Sequence, residues 1–600
     1  MISNTRTKAL TFSLWMAFAG SVGANAPTEK LSTTAENPIR MNQLGFLPAA
    51  NKLAVVLADS NPGTFVIRDL STDEAALRGR MQASQEKTLG GTQSWRADFS
   101  AIQAPGTYAI ELPEGQREVF RVESGLYDAL ADASLKAFYF QRASMPIEEH
   151  YAGIWARPAG HADDKILIHS SAASAERPAG TIVSAPKGWY DAGDYNKYVV
   201  NSGITMGTLM SAYERFPEYF SARSLNIPES ENGLPDILDE VRYNLDWLTD
   251  MQDPNDGGVY HKLTTANFEG MVAPHLATKT RYMVQKGTAA TLDFAAVMAQ
   301  AARVFAPFEP RQAAHYLNSA RAAWQWAEEN PAVAYRQDQL NQQFDPDIVT
   351  GAYGDKHFTD EHFWAAAELF LATGEPQYWK IIRTTPTEYA LPSWGDVRWL
   401  GYYSLLANAG KLPKESTPWQ KRVADNLVQA ALDLTLASTR NAYRSPISSD
   451  PKHFVWGSNS VAANQGILLL EAFRITGNAD FLRSAEDTRD YLLGRNATGY
   501  SFVTGFGIRT PQHPHHRLTA ARPELPPLPG FLVGGPNPGQ HDGCNYPSDI
   551  ADESFVDHVC SFASNEIAIN WNAPFAYLIN GLHALESQHD QIGSDSEDAH

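Results

Sequence analysis

Asp191 and Asp194 stand three apart in Gly188-Trp-Tyr-Asp-Ala-Gly-Asp-Tyr-Asn-Lys-Tyr-Val-Val200, spaced by Ala192 and Gly193 and framed by Trp189, Tyr190, Tyr195 and Tyr198. Two carboxylates held side by side repel, so one pKa rises and the pair can share a proton or grip a water between them. That is useful to a general base. The structural alternative is plain: Asp and Gly are turn residues, Asp caps helices, and a helix starting near Ser202 accounts for both. The four rings weigh on the side of chemistry, since they would wall the same turn with apolar surface.

Two later stretches carry further candidates. Ser501-Phe-Val-Thr-Gly-Phe-Gly-Ile-Arg-Thr-Pro-Gln-His-Pro-His-His-Arg517 has histidines at 513, 515 and 516, too tightly packed in a proline-broken loop to converge easily on one metal ion. A polar loop fits better, with His515 and Arg517 donating hydrogen bonds to sugar hydroxyls; an ordinary surface loop is the alternative. In Ser554-Phe-Val-Asp-His-Val-Cys-Ser-Phe-Ala-Ser-Asn-Glu-Ile-Ala-Ile-Asn-Trp-Asn-Ala-Pro574, Glu566 sits where an apolar run begins. It is either a chemical group or a first-turn residue favoured by the helix dipole.

The elements that must position these residues fall into two kinds. Over 39–123 the chain reads as short strands, Lys52–Ala58, Thr64–Arg68, Gly106–Leu112 and Glu118–Val122, separated by Pro/Gly turns, which predicts a small β-sandwich. After Tyr127 the period changes. In Leu234–Met251 the apolar positions 234, 237, 238, 241, 245, 248 and 251 recur at three and four, the spacing of an amphipathic helix. Similar segments near 126–142, 203–216, 288–306, 311–330, 360–373, 396–409, 418–438, 457–476, 479–494 and 562–586 predict about a dozen helices with almost no strand between them. They suggest a toroid of helical hairpins over 126–587. Long Gly/Pro-rich stretches at 253–287 and 497–552 are the places for a site. Residues 588–600 read as an acidic, disordered tail.

Composition narrows the function. The net charge of −20, with scattered lysines and arginines, argues against nucleic acid. Fourteen tryptophans and an aromatic share of 11% supply flat rings suited to stacking on sugar faces, although most such rings are core. Arg6 and Lys8, the apolar run Ala9–Ala19 and the small residues Ala24-Asn25-Ala26 read as a secretory signal over 1–26. That run is too short to span a bilayer, no later segment is long and uncharged enough, and no cysteine follows the cleavage site to carry a lipid. The expected product is secreted or periplasmic, without membrane insertion, and of unspecified oligomeric state. In an oxidising compartment Cys544 and Cys560 are expected to pair, stabilising by about 3 kcal/mol; two free buried thiols are the alternative.

Together the three stretches resemble glycoside hydrolase family nine, the β-1,4-glucanases, in the subgroup with an N-terminal immunoglobulin-like module. The resemblance rests on the Asp-Ala-Gly-Asp turn at 191–194, the Gly-x-Gly…His-x-Arg loop reaching His515 and Arg517, and Asp557, Phe562, Asn565, Glu566, Ala568, Asn572 and Ala573. Met41-Asn-Gln-Leu-Gly-Phe-Leu-Pro48 and Ala104-Pro-Gly-Thr-Tyr108 resemble the module. It implies a multi-domain chain: an all-β immunoglobulin-like sandwich followed by an all-α (α/α)6 barrel. It also implies hydrolysis with inversion of β-1,4-glucosidic bonds in glucans or oligosaccharides. Asp194 would be the general base, Asp191 would help hold the attacking water, and Glu566 would be the general acid. His515, Arg517 and Asp557 would orient sugar hydroxyls and the acid, with Tyr195 and Trp456 as further substrate contacts. No cofactor is required for the chemistry. Calcium is common in the family, and Asp360 and Glu361 are candidate ligands, an acidic helix N-terminus being the alternative.

No cellulose-binding module or linker follows residue 587, which points to soluble or amorphous glucans rather than crystalline cellulose. Three other readings stay open: an exo-acting β-glucosaminidase on chitosan oligosaccharides, a non-catalytic glycan-binding protein, and a polysaccharide lyase on a similar toroid.

Overall fold

The structure, a computed structural model, describes residues 37–597, with side chains through 587. The expected secretory signal lies outside the described residues. Eight strands open the chain: β1 (Ile39–Arg40), β2 (Leu53–Leu57), β3 (Thr64–Asp69), β4 (Ala75–Arg80), β5 (Gln82–Ala83), β6 (Ser94–Asp98), β7 (Gly106–Glu111) and β8 (Arg117–Val122). They pair into two four-stranded sheets, β1-β2-β6-β5 and β4-β3-β7-β8. Strands turn alternate residues inward, and Phe65 and Ile67 of β3 thereby join Val56, Ala97, Ile110 and Phe120 in one core between the sheets. The Tyr108 hydroxyl donates to the Ala104 carbonyl at 2.9 Å, a tyrosine corner of the kind immunoglobulin-like sandwiches use.

Helices follow. Among the described residues eleven have ten or more residues: α1 (Asp128–Gln141), α2 (Val199–Arg215), α3 (Asp236–Asp250), α4 (Thr288–Phe305), α5 (Pro310–Glu329), α6 (Thr359–Thr373), α7 (Arg398–Ala407), α8 (Thr417–Arg440), α9 (Ser458–Thr476), α10 (Ala479–Leu492) and α11 (Ile569–Glu597). Every residue of α4 except Arg303 is buried, the mark of a central helix. Trp189, Trp247, Trp364 and Trp399 are fully buried in the same core, each contributing on the order of 2–3 kcal/mol of burial. No described helix is long and apolar enough to cross a membrane.

One expectation needs correction. The helical part is not all-α: β9 (Ile166–Ile168), β10 (Ile182–Val183), β11 (Lys197–Tyr198), β12 (Lys262–Thr265) and β13 (Arg281–Met283) form a five-stranded sheet ordered β10-β9-β13-β12-β11. Strands of two to four residues are too short to show a period in sequence. α11 extends to Glu597, within the stretch expected as an acidic tail.

The sandwich and the helices belong to one compact unit beginning at Pro38. Ser94 Oγ donates to the Ala442 carbonyl at 2.9 Å, Asn42 Nδ2 to Asp490 Oδ1 at 2.8 Å, and the Gln43 N–H to the Leu493 carbonyl at 3.0 Å. Gln43 Oε1 also accepts from the N–H groups of Ile508 and Arg509, both at 2.8 Å. The sandwich thus braces the loop that leads to His515 and Arg517.

Candidate active site

The turn at 191–194 lies between α1 and α2. The Tyr190 N–H donates to the Gln141 carbonyl at 2.8 Å, and the Asp191 N–H to the Asn196 carbonyl at 3.0 Å. α2 begins at Val199 after Tyr198, with no side-chain cap, so neither aspartate is there to cap a helix. Both are buried. Asp194 Oδ2 accepts from Asn196 Nδ2 at 2.5 Å and from the Tyr198 hydroxyl at 3.0 Å. Asp191 accepts from Asn201 Nδ2 at 3.0 and 3.1 Å and from the Tyr353 hydroxyl at 3.2 Å. Burial, then the neighbouring Asp194, pushes the Asp191 pKa well above the carboxylate range.

Glu566 precedes α11 rather than sitting in its first turn. It lies in extended backbone, bridged to His515 on one side while Ile567 bridges to Val533 on the other. The Ile569 N–H donates to the Asp191 carbonyl at 2.8 Å, tying this segment to the aspartate turn. Gly193 is where the two meet. A Cβ built on it would lie 2.2 Å from the His515 carbonyl oxygen and 3.1 Å from Glu566 Oε1, so only glycine lets the strands approach this closely. Glu566 is half-buried. Burial, then Asp194 and Asp191, raises its pKa well above the ordinary value, with Arg517 and the Gly193 backbone opposing.

Asp194 and Glu566 line a cleft of ≈ 950 Å³ together with Phe268, Tyr353, Trp394, Trp456, Phe562 and Trp571. Aromatic walls around a few carboxylates suit a sugar chain, whose faces are apolar and whose edges are hydroxyls. Two carboxylates from the turn facing a third that keeps its proton can activate a water and protonate a leaving group.

Asp194, Glu566, His515, Arg517 and Trp456 line the cleft, with Asp191 beside them. His515 differs in role from the expectation. Its Nδ1 lies 2.6 Å from the Val559 carbonyl, which can only accept, so Nδ1 carries the proton and Nε2 is an acceptor. Burial lowers the His515 pKa and keeps the ring neutral. Arg517 spends Nη1 on the Gly193 carbonyl (2.7 Å) and Nε on the Glu269 carbonyl (2.9 Å).

Two expected residues stand back. Tyr195 is buried against Tyr190 and His161, its hydroxyl donating to the Val272 carbonyl at 2.7 Å. Asp557 accepts from the N–H groups of Gln512 (2.7 Å) and His513 (2.8 Å) and from Asn565 Nδ2 (3.1 Å), so it ties the histidine loop to the Glu566 segment. Sequence reasoning missed Tyr353, which has a φ of +45° and reaches Asp191 from a distant loop. It also gave no role to Asn196 and Asn201, although both lie within ten residues of the aspartates they hold.

Cys544 and Cys560 form a disulfide, and His541, three residues before it, stacks on the Trp456 ring with centroids 5.8 Å apart. Asp360 and Glu361 head α6 and share a buried carboxylate cluster with Asp293 of α4. Both Asp293 oxygens and Glu361 Oε2 lack a hydrogen-bond partner, and such oxygens suit a hard cation. Yet among the described residues no group of three or more His, Cys, Asp or Glu is arranged to hold one.

The family model described as glycosyl hydrolase family 9 matches residues 127–579, and that for the cellulase N-terminal ig-like domain matches 34–117. A xyloglucan-specific endo-beta-1,4-glucanase of Bacteroides ovatus is 46% identical over 568 residues, covering 94% of this chain and 96% of that protein. Endoglucanase D of Acetivibrio thermocellus is 31% identical over 565 residues, covering 93% and 85%. Among solved structures, a Bacteroides ovatus GH9 protein superposes with a TM-score of 0.87 at 45% identity, covering 92% of this chain and 99% of that one.

Proposed function

The chain belongs to glycosyl hydrolase family 9, and from that premise we propose a hydrolase that cleaves β-1,4-glucans within the chain, with inversion, using Asp194 as base and Glu566 as acid. Asp191 steadies a water against Asp194, which removes its proton as oxygen attacks the anomeric carbon. Glu566 gives its proton to the departing glycosidic oxygen. Inversion requires about 6.5–9.5 Å between such carboxyls so that a water fits beside the sugar. The observation that carries the assignment is the meeting at Gly193, which brings the early turn and the late glutamate to one cleft. The raised Glu566 pKa supports its role, because an acid must still hold its proton near neutral pH.

His515 Nε2 accepts from, and Arg517 donates to, sugar hydroxyls, and Trp456 offers a stacking face. The chemistry needs no cofactor. Xyloglucan enters as a substrate through the Bacteroides ovatus relative, alongside unbranched soluble glucans. The eleven long helices are read as an (α/α)6 barrel over 126–587, following an immunoglobulin-like domain over 39–123. Residues 1–26 are read as an export signal, making the enzyme secreted or periplasmic.

Proton NMR of the products decides the central point. Cellopentaose or a xyloglucan oligosaccharide should release the α-anomer first. Initial release of the β-anomer, or turnover on chitosan oligomers alone, overturns the proposal.

A further inference from the structure

The donors that hold Asp194 are themselves held by one strand. β12 pairs antiparallel with β11, setting Lys262 opposite Tyr198. At its other end the Thr265 N–H donates to Asn196 Oδ1 at 3.0 Å, and Asn196 in turn donates to Asp194. Lys262 is fully buried. Its Nζ lies 5.4 Å from the centre of the Tyr198 ring and 5.3 Å from that of Tyr335.

Lys262 Nζ donates to Gln337 Oε1 at 2.7 Å, Thr350 Oγ1 at 3.0 Å and the Gly351 carbonyl at 2.5 Å. The directions in this network require all three protons. Thr264 Oγ1 donates to the Thr265 carbonyl (3.0 Å), so Thr350 Oγ1 donates to Thr264 (2.7 Å) and has only a lone pair for Lys262. Gln337 Nε2 donates to the Thr350 carbonyl (2.8 Å), which leaves Oε1 as an acceptor. Three acceptors around one nitrogen select the ammonium over the amine.

None of these partners is a carboxylate. The titratable groups facing Nζ are Tyr198, Tyr335, His261, which burial keeps neutral, and Asp194 beyond Tyr198. A buried cation without a carboxylate beside it is costly, and its charge is therefore a candidate for use. The same ammonium grips the turn at 350–351, two residues before Tyr353, whose hydroxyl donates to Asp191.

We infer that Lys262 is a positioning residue for the water-activating pair: its charge supports the Asp194 anion through Tyr198, and its donors fix the turn that brings Tyr353 to Asp191. The inference rests on Asp194 being the base. Burial pushes the Lys262 pKa down to about 7, and Asp194 opposes that fall, as a charge coupled to it must.

The test compares pH–rate profiles on cellopentaose for the wild type, Lys262→Met and Lys262→Gln, with circular dichroism and Tm as checks of folding. Gln keeps a donor for the turn and removes the charge. Both variants should lower kcat about tenfold, leave KM within about twofold, and move the acid limb up by about one pH unit. An acid limb that stays in place in whichever variant folds overturns the inference, as does full rescue by Gln, which would make the lysine merely a tie for the turn. Asp194→Asn run alongside separates the failures. Near-normal turnover there means the base is misassigned; an inactive Asp194→Asn with unmoved Lys262 profiles removes Lys262 alone.

Discussion

Gly193→Ala adds a single methyl group where the aspartate turn meets the His515 and Glu566 segments. The φ of Gly193 lies outside the left-handed region, so alanine meets no backbone penalty and the whole effect is spatial. The new carbon would stand 2.2 Å from the His515 carbonyl oxygen, 2.9 Å from its ring Cδ2 and 3.1 Å from Glu566 Oε1. Carbon and oxygen rest at about 3.3 Å, so the turn and the histidine strand must part by roughly 1 Å. The closest atom is backbone, which cannot swing aside. Overpacking of this kind costs about 1–3 kcal/mol of stability. The larger effect falls on rate, because a displacement of ~1 Å between catalytic groups costs on the order of 10²-fold, or about 2.7 kcal/mol of barrier. Steady-state kinetics on a soluble β-1,4-glucan at 25 °C, with Tm measured in parallel, should give a roughly hundredfold lower kcat in a protein that is still folded. A kcat within twofold of wild type would refute the claim that this contact sets the gap between turn and glutamate.

Three further outcomes are expected. Burial and the two aspartates raise the Glu566 pKa, so its proton is present below that raised value and lost as pH climbs through it; kcat/KM should decline on the alkaline side. Glu566→Gln should cost roughly 10²–10⁴-fold on cellopentaose but far less on an aryl cellobioside with a good leaving group, and an equal loss on both would exclude the acid role. Cys560→Ser should lower stability by about 3 kcal/mol in guanidinium melts, a loss of under 1 kcal/mol counting against a stabilising disulfide.

Long helices were the most legible part of the chain. The apolar spacing over 234–251 places α3 within two residues of its observed ends, because burying one face imposes that spacing. The five-stranded sheet left no such trace, since strands of two to four residues are too short to show an alternation. At the site, the Asp-Ala-Gly-Asp turn and Glu566 stood out by residue type, whereas the close approach that Gly193 permits between them shows only in three dimensions. Tyr195 was misjudged because a list of rings does not say which way each faces. Tyr353 lies 162 residues from the aspartate it serves, and nothing local to its loop announces that contact. His515 lines the cleft, but the donor role expected of it meets a ring whose Nδ1 faces the Val559 carbonyl, a contact from another segment that the local sequence does not show.

Gln43, on the sandwich, uses one amide to clamp both ends of a distant loop: its oxygen takes two N–H groups at 508–509 and its nitrogen reaches the Gly499 carbonyl at 2.8 Å. Trimming the N-terminal module to obtain a minimal enzyme would therefore loosen the loop that leads to His515 and Arg517 from behind, although no residue of the module lines the cleft. For anyone recombining parts among such enzymes, the exchangeable cassette is the two domains together.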